Sequence, residues 1–288
     1  MRPQSAARWS ELRTVPAPDA IPDAAAAHGG SQSVIRALSL LSLVGRGGTI
    51  GLGLGELAEA AGVTRPTARR LLLALGAARM VDQDPDTRRY HLGPEAYLLA
   101  SFAAERHGIL PLAQPSMQRL AEATADTVLL TVPQDDHTLC LERVEGSFPI
   151  RTHALMRGDR KPAGVGAGAL AILAALPKAE ADQLMARVAG LVGDLGPAIA
   201  SDVALARQGD HAFNPGRVIA GSWGIGVAIL WPDGRPAGAL SLAAIDNRMQ
   251  PERRADLVAL LRQEVKVIEI QLAQLGRNHS PERKRSSA

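Results

Sequence analysis

The sequence predicts an α+β chain of two domains. Three observations carry this. The first is length: 288 residues suit about two domains at ~100–200 residues each. The second is a helix-rich opening that ends in a hairpin and a Gly93-Pro94 break. The third is a later region where strand-like runs, inserted helices, more strand-like runs and a long closing helix follow one another, an order typical of a sheet with helices packed on it.

Residues 1–30, rich in Ala, Pro and Asp, show no sustained period and read as a disordered lead. A first helix is expected over Gln32–Val44, with Val34, Ala37, Leu38, Leu41 and Val44 as its apolar stripe. A short second helix covers Gly55–Ala61, and Gly62 ends it. Thr64 caps a third over Arg65–Ala77, where Pro66 sits in the first turn at no hydrogen-bonding cost and Ala68, Leu71, Leu72 and Leu75 face inward. Met80-Val81, a polar turn and Arg88–Leu92 then read as a hairpin. Pro94–His107 forms a linker helix.

The region from 108 to 276 opens with a helix near Pro115–Ala125. Strands are expected at Thr127–Val132, Thr138–Val144 and Ile150–Leu155, then helices at Gly166–Leu176 and from Lys178 to about Gln208. Strands return at Val218–Ala220, Gly226–Trp231 and Ala237–Ala243, and a helix closes the region from Pro251 to Leu275. Residues 277–288 read as a disordered basic tail.

Net charge is only +3, but it is unevenly placed. Residues 31–93 carry eight basic and five acidic residues, the tail four and one, and the long region 108–276 sixteen and eighteen. A basic module joined to a neutral one suits a nucleic-acid binder, although so small an excess is also ordinary surface. One cysteine, Cys140, excludes an internal disulfide framework, and its place in a strand favours burial over redox sensing. His137, His153 and His211 lack metal spacing, and Trp223 and Trp231 read as core or interface. No apolar run reaches the ~20 residues of a membrane span, and the N-terminus lacks an apolar signal core. A cytoplasmic protein without membrane partners is expected.

The strongest motif is Leu54–Leu73. A helix-turn-helix needs a small residue where its helices touch, and Ala58 is one; it needs a turn residue tolerant of positive φ, and Gly62 is one. Leu57, Ala61, Val63, Ala68 and Leu71 supply the shared core. The exposed face of the third helix then carries Arg65, Arg69 and Arg70, with Thr64 and Thr67 at its start. Arginine forks onto guanine or phosphate, and a helix N-terminus favours phosphate. Arg88 and Arg89 of the hairpin stand where a wing reaches the backbone or minor groove. A three-helix structural module with a solvated arginine face remains the alternative.

On these residues the chain resembles the bacterial IclR (isocitrate lyase regulator) family of transcription regulators. The matching stretches are Ser33–Leu38, Leu57–Val63, Arg70–Leu72, Arg89–Gly93, Arg143–Gly146, Gly166–Ala169, Pro232–Gly234 and Ala239–Ser241. The resemblance implies a winged helix-turn-helix over 31–93, a linker helix over 94–107 and a GAF-like mixed α/β effector-binding domain over 108–276. It further implies homodimers or homotetramers on double-stranded operator DNA. The chain departs from the family pattern where Pro66-Thr67 replaces a Ser-Thr pair, where Ala169 replaces a lysine, and where Pro162–Val165 is one residue short.

By the same analogy a small organic-acid effector sits near Gly166, Ala167 and Gly168, whose N–H groups open a helix, with Gly224, Ala228, Ser241 and Asp210 opposite. These small residues suggest room for a bulky acid, aromatic ones included; equally, the glycines let the helix pack close to the sheet. The glycine run lacks the surroundings of a dinucleotide fingerprint, so no cofactor is expected. Nor is a nucleophile elbow, zinc motif or phosphate loop present, which argues against an enzyme. The reading is a ligand-responsive regulator of catabolic genes. Alternatives are a winged-helix protein whose second domain only oligomerises and, more distantly, a metabolic enzyme with a regulatory module.

Overall fold

The computed structural model describes residues 31–150, 152 and 155–278. The expected lead 1–30, the tail beyond 278 and His153 lie outside the described residues. The chain divides into two compact units between Gly108 and Ile109.

In the N-terminal unit, α1 (Gln32–Arg46), α2 (Leu54–Ala60) and α3 (Arg65–Ala77) precede a hairpin of β1 (Val81–Gln83) and β2 (Tyr90–Leu92), and α4 (Pro94–His107) follows. Their core joins Leu40, Leu43 and Val44 of α1 to Leu57, Ala58, Ala68, Leu71, Leu72, Val81 and Tyr90. The stripe expected on α1 holds for Ala37, Leu41 and Val44, which pack into this core, and is corrected for Val34 and Leu38. Val34 and Leu38 are 59% and 50% exposed, while Leu40 is fully buried. Helix α1 has apolar residues on more than one face, and its period alone does not select between them. Gly62 adopts φ +62, which lets Val63 N–H donate to the Ala58 carbonyl and turn the chain tightly into α3.

The second unit is one antiparallel sheet between two helical layers. Its elements are α5 (Ile109–Thr124), β3 (Thr127–Gln134), β4 (His137–Val144), β5 (Arg160–Pro162), α6 (Ala167–Ala175), α7 (Lys178–Val192), α8 (Gly196–Gly209), β6 (Ala212–Ile219), β7 (Ser222–Leu230), β8 (Pro236–Ile245) and α9 (Pro251–Asn278). The strand order is β5-β4-β3-β8-β7-β6. Val128, Leu130, Ile225, Leu240 and Leu242 face α5 and α9 on one side. Ala212 and Ala239 face α6, α7 and α8 on the other. Strand β8 is central and buried along nearly its whole length, which explains why its sequence reads as a continuous apolar run.

Of the expected strand at Ile150–Leu155, the described residues are not in a strand: Ile150 lies in a bend, and Thr152 and Leu155 are irregular. The outermost strand is Arg160–Pro162 instead. Strands β6 and β7 start earlier than expected. Asn214-Pro215-Gly216 reads as a breaker, but β6 is an edge strand with an irregular register there, where Pro and Gly are tolerated. Among the described residues, 178–209 is the one stretch apolar and long enough to be weighed as a membrane span. A 3₁₀ turn at Gly193–Leu195 breaks it into helices of 15 and 14 residues, each shorter than the ~20 a span requires.

Candidate DNA-binding surface and effector pocket

The N-terminus of α3 is built around Thr64. Its hydroxyl accepts the Thr67 N–H at 3.4 Å and lies 2.9 Å from the Thr67 hydroxyl. This takes up one of the first-turn donors and fixes where the helix starts. Arg65, Arg69 and Arg70 are exposed and border one open depression with Leu54, Pro66 and Leu73. Arg65 lies back over α2: a methyl on Gly55 would stand 3.1 Å from its guanidinium. The first two turns of α3 thus present a cationic face around a small apolar floor.

The hairpin turn is held by Asp84. Its carboxylate accepts the N–H groups of Asp86 and Thr87 at 3.0 and 2.7 Å and the Thr87 hydroxyl at 2.8 Å. The Thr87 bonds hold its pKa below the usual carboxylate value. Arg88 is exposed at the tip, with φ +58. Arg89 departs from expectation. Its Nε–H donates to the Gly51 carbonyl at 3.1 Å and its Nη2 to both Glu56 oxygens at 3.3 and 3.0 Å. Arg89 braces the wing against α2 instead of standing free, because the fold sets the Gly51 carbonyl and the Glu56 carboxylate together within its reach. Glu56 also accepts the Gly53 N–H at 2.6 Å, so one carboxylate both starts α2 and seats the wing.

In the second unit, Gly166 precedes α6 at φ +104 and offers no side-chain cap. The first-turn residues Ala167, Gly168 and Ala169 line a pocket together with Gly166, Gly224 and Ser241. Five of the seven expected effector positions therefore meet. Asp210 and Ala228 do not join them; they border a separate groove at the other end of α6, beside Arg207 and Arg262. Ala228 faces the same side of the sheet as Gly224 but four residues further along β7, and Asp210 belongs to the turn after α8.

The expected roominess is also corrected. The pocket encloses about 30 Å³, space for only a water or two. The missing side chains have let α6 settle onto the sheet. A methyl on Gly168 would lie 2.8 Å from Thr131 Oγ1, one on Gly224 would lie 3.1 Å from Ala167 Cβ, and one on Gly226 would collide with the Ala167 carbonyl. A few polar groups nonetheless stand among its apolar walls. Thr131 is 2% exposed and its hydroxyl has no partner, a state that costs free energy. Asn214, Ser222 and Thr138 join it. Thr131, Thr138, Asn214 and Ser222 escape a local reading of the sequence because they lie on four different strands. Trp223 lines the pocket and meets Phe213 edge-on, with ring centres 5.4 Å apart.

Burial pushes the Cys140 thiol up to about 12, so it stays protonated and unreactive. Among the described residues no cluster of three metal-ligating side chains occurs.

A winged helix-turn-helix followed by an antiparallel sheet domain with a small pocket at a helix start defines a class: two-domain transcription regulators. The comparisons narrow it. Residues 33–85 match the IclR helix-turn-helix domain, and residues 101–270 match the bacterial transcriptional regulator IclR C-terminal domain. The chain belongs to the IclR family of transcriptional regulators. It is 26% identical to the transcriptional repressor IclR of Escherichia coli K12 over 246 residues, covering 82% of this chain and 88% of the repressor. It is 32% identical to the HTH-type transcriptional regulator BhcR of Paracoccus denitrificans over 123 residues, 43% of each. A putative IclR-type regulator from Silicibacter sp. TM1040 superposes with a TM-score of 0.67 at 25% identity, over 84% of this chain and 96% of that one. A homologue from Microbacterium hydrocarbonoxydans, crystallised with 4-hydroxybenzoate, has the same fold, with a TM-score of 0.68 at 21% identity over 84% and 99% of the two chains.

Proposed function

We propose that this regulator responds to a small organic acid and controls catabolic genes in the cytoplasm. Residues 31–93 serve as the DNA-binding domain, 94–107 as the linker helix and 108–276 as the sensor. Helix α3 enters the major groove of an operator with Thr64, Arg65, Thr67, Arg69 and Arg70, and Arg88 touches the flanking backbone. Dimers or tetramers supply the second half-site. The acid binds where Gly166, Ala167, Gly168, Gly224 and Ser241 meet.

The observation that carries the sensing half is Thr131. A hydroxyl that is buried, unpartnered and beside an uncapped helix N-terminus suits a ligand that brings a polar acceptor group able to satisfy both, as an organic acid does. The crystallised 4-hydroxybenzoate complex of a relative supports an acid of aromatic size. Such a ligand needs the pocket to open, so it would select an expanded state and shift the geometry presented to DNA. The closed pocket of about 30 Å³ favours a second reading, in which the sheet domain only oligomerises.

One experiment separates the two. A duplex is selected from a random pool with the full chain, and its affinity is measured with and without a panel of organic acids. An acid that both raises the melting temperature and changes duplex affinity supports sensing. Specific binding that no acid alters supports the oligomerising domain. Failure to prefer any duplex over random DNA sinks the operator reading.

A further inference from the structure

Beside the small pocket lies a buried cation that the fold does not fully use. The register across three strands places Ser241 against Leu129 and Leu129 against Arg143. Directly paired residues point to the same side of a sheet. Arg143 therefore shares a face with Ser241 and Leu129, both of which line the pocket, and stands two strands, about 10 Å, from Ser241.

The Arg143 side chain is 6% exposed. One terminal nitrogen lies 2.8 Å from Glu145 Oε1 and 3.2 Å from Met156 Sδ; the other donates to the Thr152 carbonyl at 3.4 Å. A thioether and a long carbonyl bond are weak acceptors for a buried guanidinium, and its Nε has no partner. The Thr152 hydroxyl is likewise buried and unpartnered. Thr131, Arg143 and Thr152 thus leave three buried polar atoms unsatisfied in the region where Leu129 and Leu155 supply apolar surface.

Resting on the sensing reading above, we infer that Arg143 is the counter-ion of the sensed acid. The ligand is a carboxylic acid with an apolar body and a second polar group at its far end. Its carboxylate takes the Arg143 fork in place of Glu145, its body lies on Leu129 and Leu155, and its far group meets the Thr131 hydroxyl and the start of α6. Glu145 is 34% exposed, so its carboxylate keeps contact with water when the ligand takes its place on Arg143. A dicarboxylate or a hydroxylated aryl acid has this shape.

The test uses the full chain and calorimetry. The probes are 4-hydroxybenzoate, phthalate and adipate, each beside its amide. Wild-type protein binds at least one acid more tightly than its amide. In Arg143→Met that preference falls at least about tenfold, since a charge-assisted fork is lost. In Glu145→Gln the acid binds several-fold more tightly, because the competing carboxylate is gone. If Arg143 only clamps the loop above it, Arg143→Met weakens acid and amide equally, and the inference is overturned. Unchanged acid affinity in Glu145→Gln also overturns it and decides alone should Arg143→Met fail to fold. If wild-type protein binds none of these acids, the sensing reading fails first.

Discussion

Helices α3 and α6 each begin with a turn of N–H groups that the helix itself cannot satisfy. At α3 the Thr64 hydroxyl takes the Thr67 N–H, Pro66 brings none, and the Arg65 N–H is left at an exposed end among Arg65, Arg69 and Arg70. At α6, Gly166 brings no side chain, residues 167–173 are all buried, and no arginine or lysine lines the pocket in front. The same backbone dipole therefore works in two media. In water it is screened, so attraction for an anion grows with the number of nearby cations and fades with salt. In a dry pocket a few donors act strongly, and access rather than charge becomes limiting. A surface that must find and leave a long polyanion suits the first arrangement, and a switch suits the second.

The sharpest way to break this comparison is at α3. Replacing Arg65 and Arg69 together by Ala should lower affinity for the selected duplex by tenfold or more. It should also make the slope of log affinity against log salt shallower by about two, if each contacts one phosphate. Fluorescence anisotropy across a salt series checks both. A slope that stays put while sequence preference relaxes would move these arginines from the backbone to base edges.

A smaller effect is expected at α6. Gly226→Ala would push a methyl into the Ala167 carbonyl, a backbone atom that cannot rotate away. The cost should be about 1–3 kcal/mol, a melting-temperature drop of several degrees. Scanning calorimetry reads it. An unchanged melting temperature would mean that α6 already moves freely on the sheet and the pocket is not held shut by close packing.

The smallest effect concerns a pair between these extremes. Arg119 on α5 grips Glu264 on α9 with bonds of 2.9 and 2.6 Å, the carboxylate nearly buried and the guanidinium half in water. That grip holds the Glu264 pKa below the ordinary carboxylate value. A depressed folded pKa stabilises the protein above the unfolded pKa of about 4.3 and loses that contribution as pH falls through the folded value. Glu264→Gln should therefore lower stability at neutral pH by about 1 kcal/mol or less. The difference should shrink below about pH 4. Melting curves from pH 3 to 7 decide it; a constant difference would assign the loss to packing.

The legible parts of the fold are those with a local cause. Helix α3 spans the expected Arg65–Ala77 because Thr64 caps it, Pro66 fits its first turn and its apolar positions mark a single face. Gly166 was legible as a helix start because glycine there frees the backbone. Helix α1 was legible as a helix and its buried face only in part: Ala37, Leu41 and Val44 pack inward, but Leu38 and Leu40 are equally apolar and only packing against α2 and α3 chooses between them. Arg89 was legible as a cation near the wing, but its capture by Glu56, 33 residues away in sequence, was not.

By itself the sequence determined the helix-turn-helix, the arginines on its outer face, and the alternation of strands and helices behind it. Each of these follows from periodicity, caps and turn chemistry within about twenty residues. Tertiary structure alone decided the pocket. Its closure depends on how near α6 comes to β7, and the placing of Arg143 on the same sheet face as Ser241, two strands away, depends on a register that shifts between Leu130 and Thr131. Both are distances between segments far apart in the chain, set by packing and strand pairing, and no local pattern encodes them.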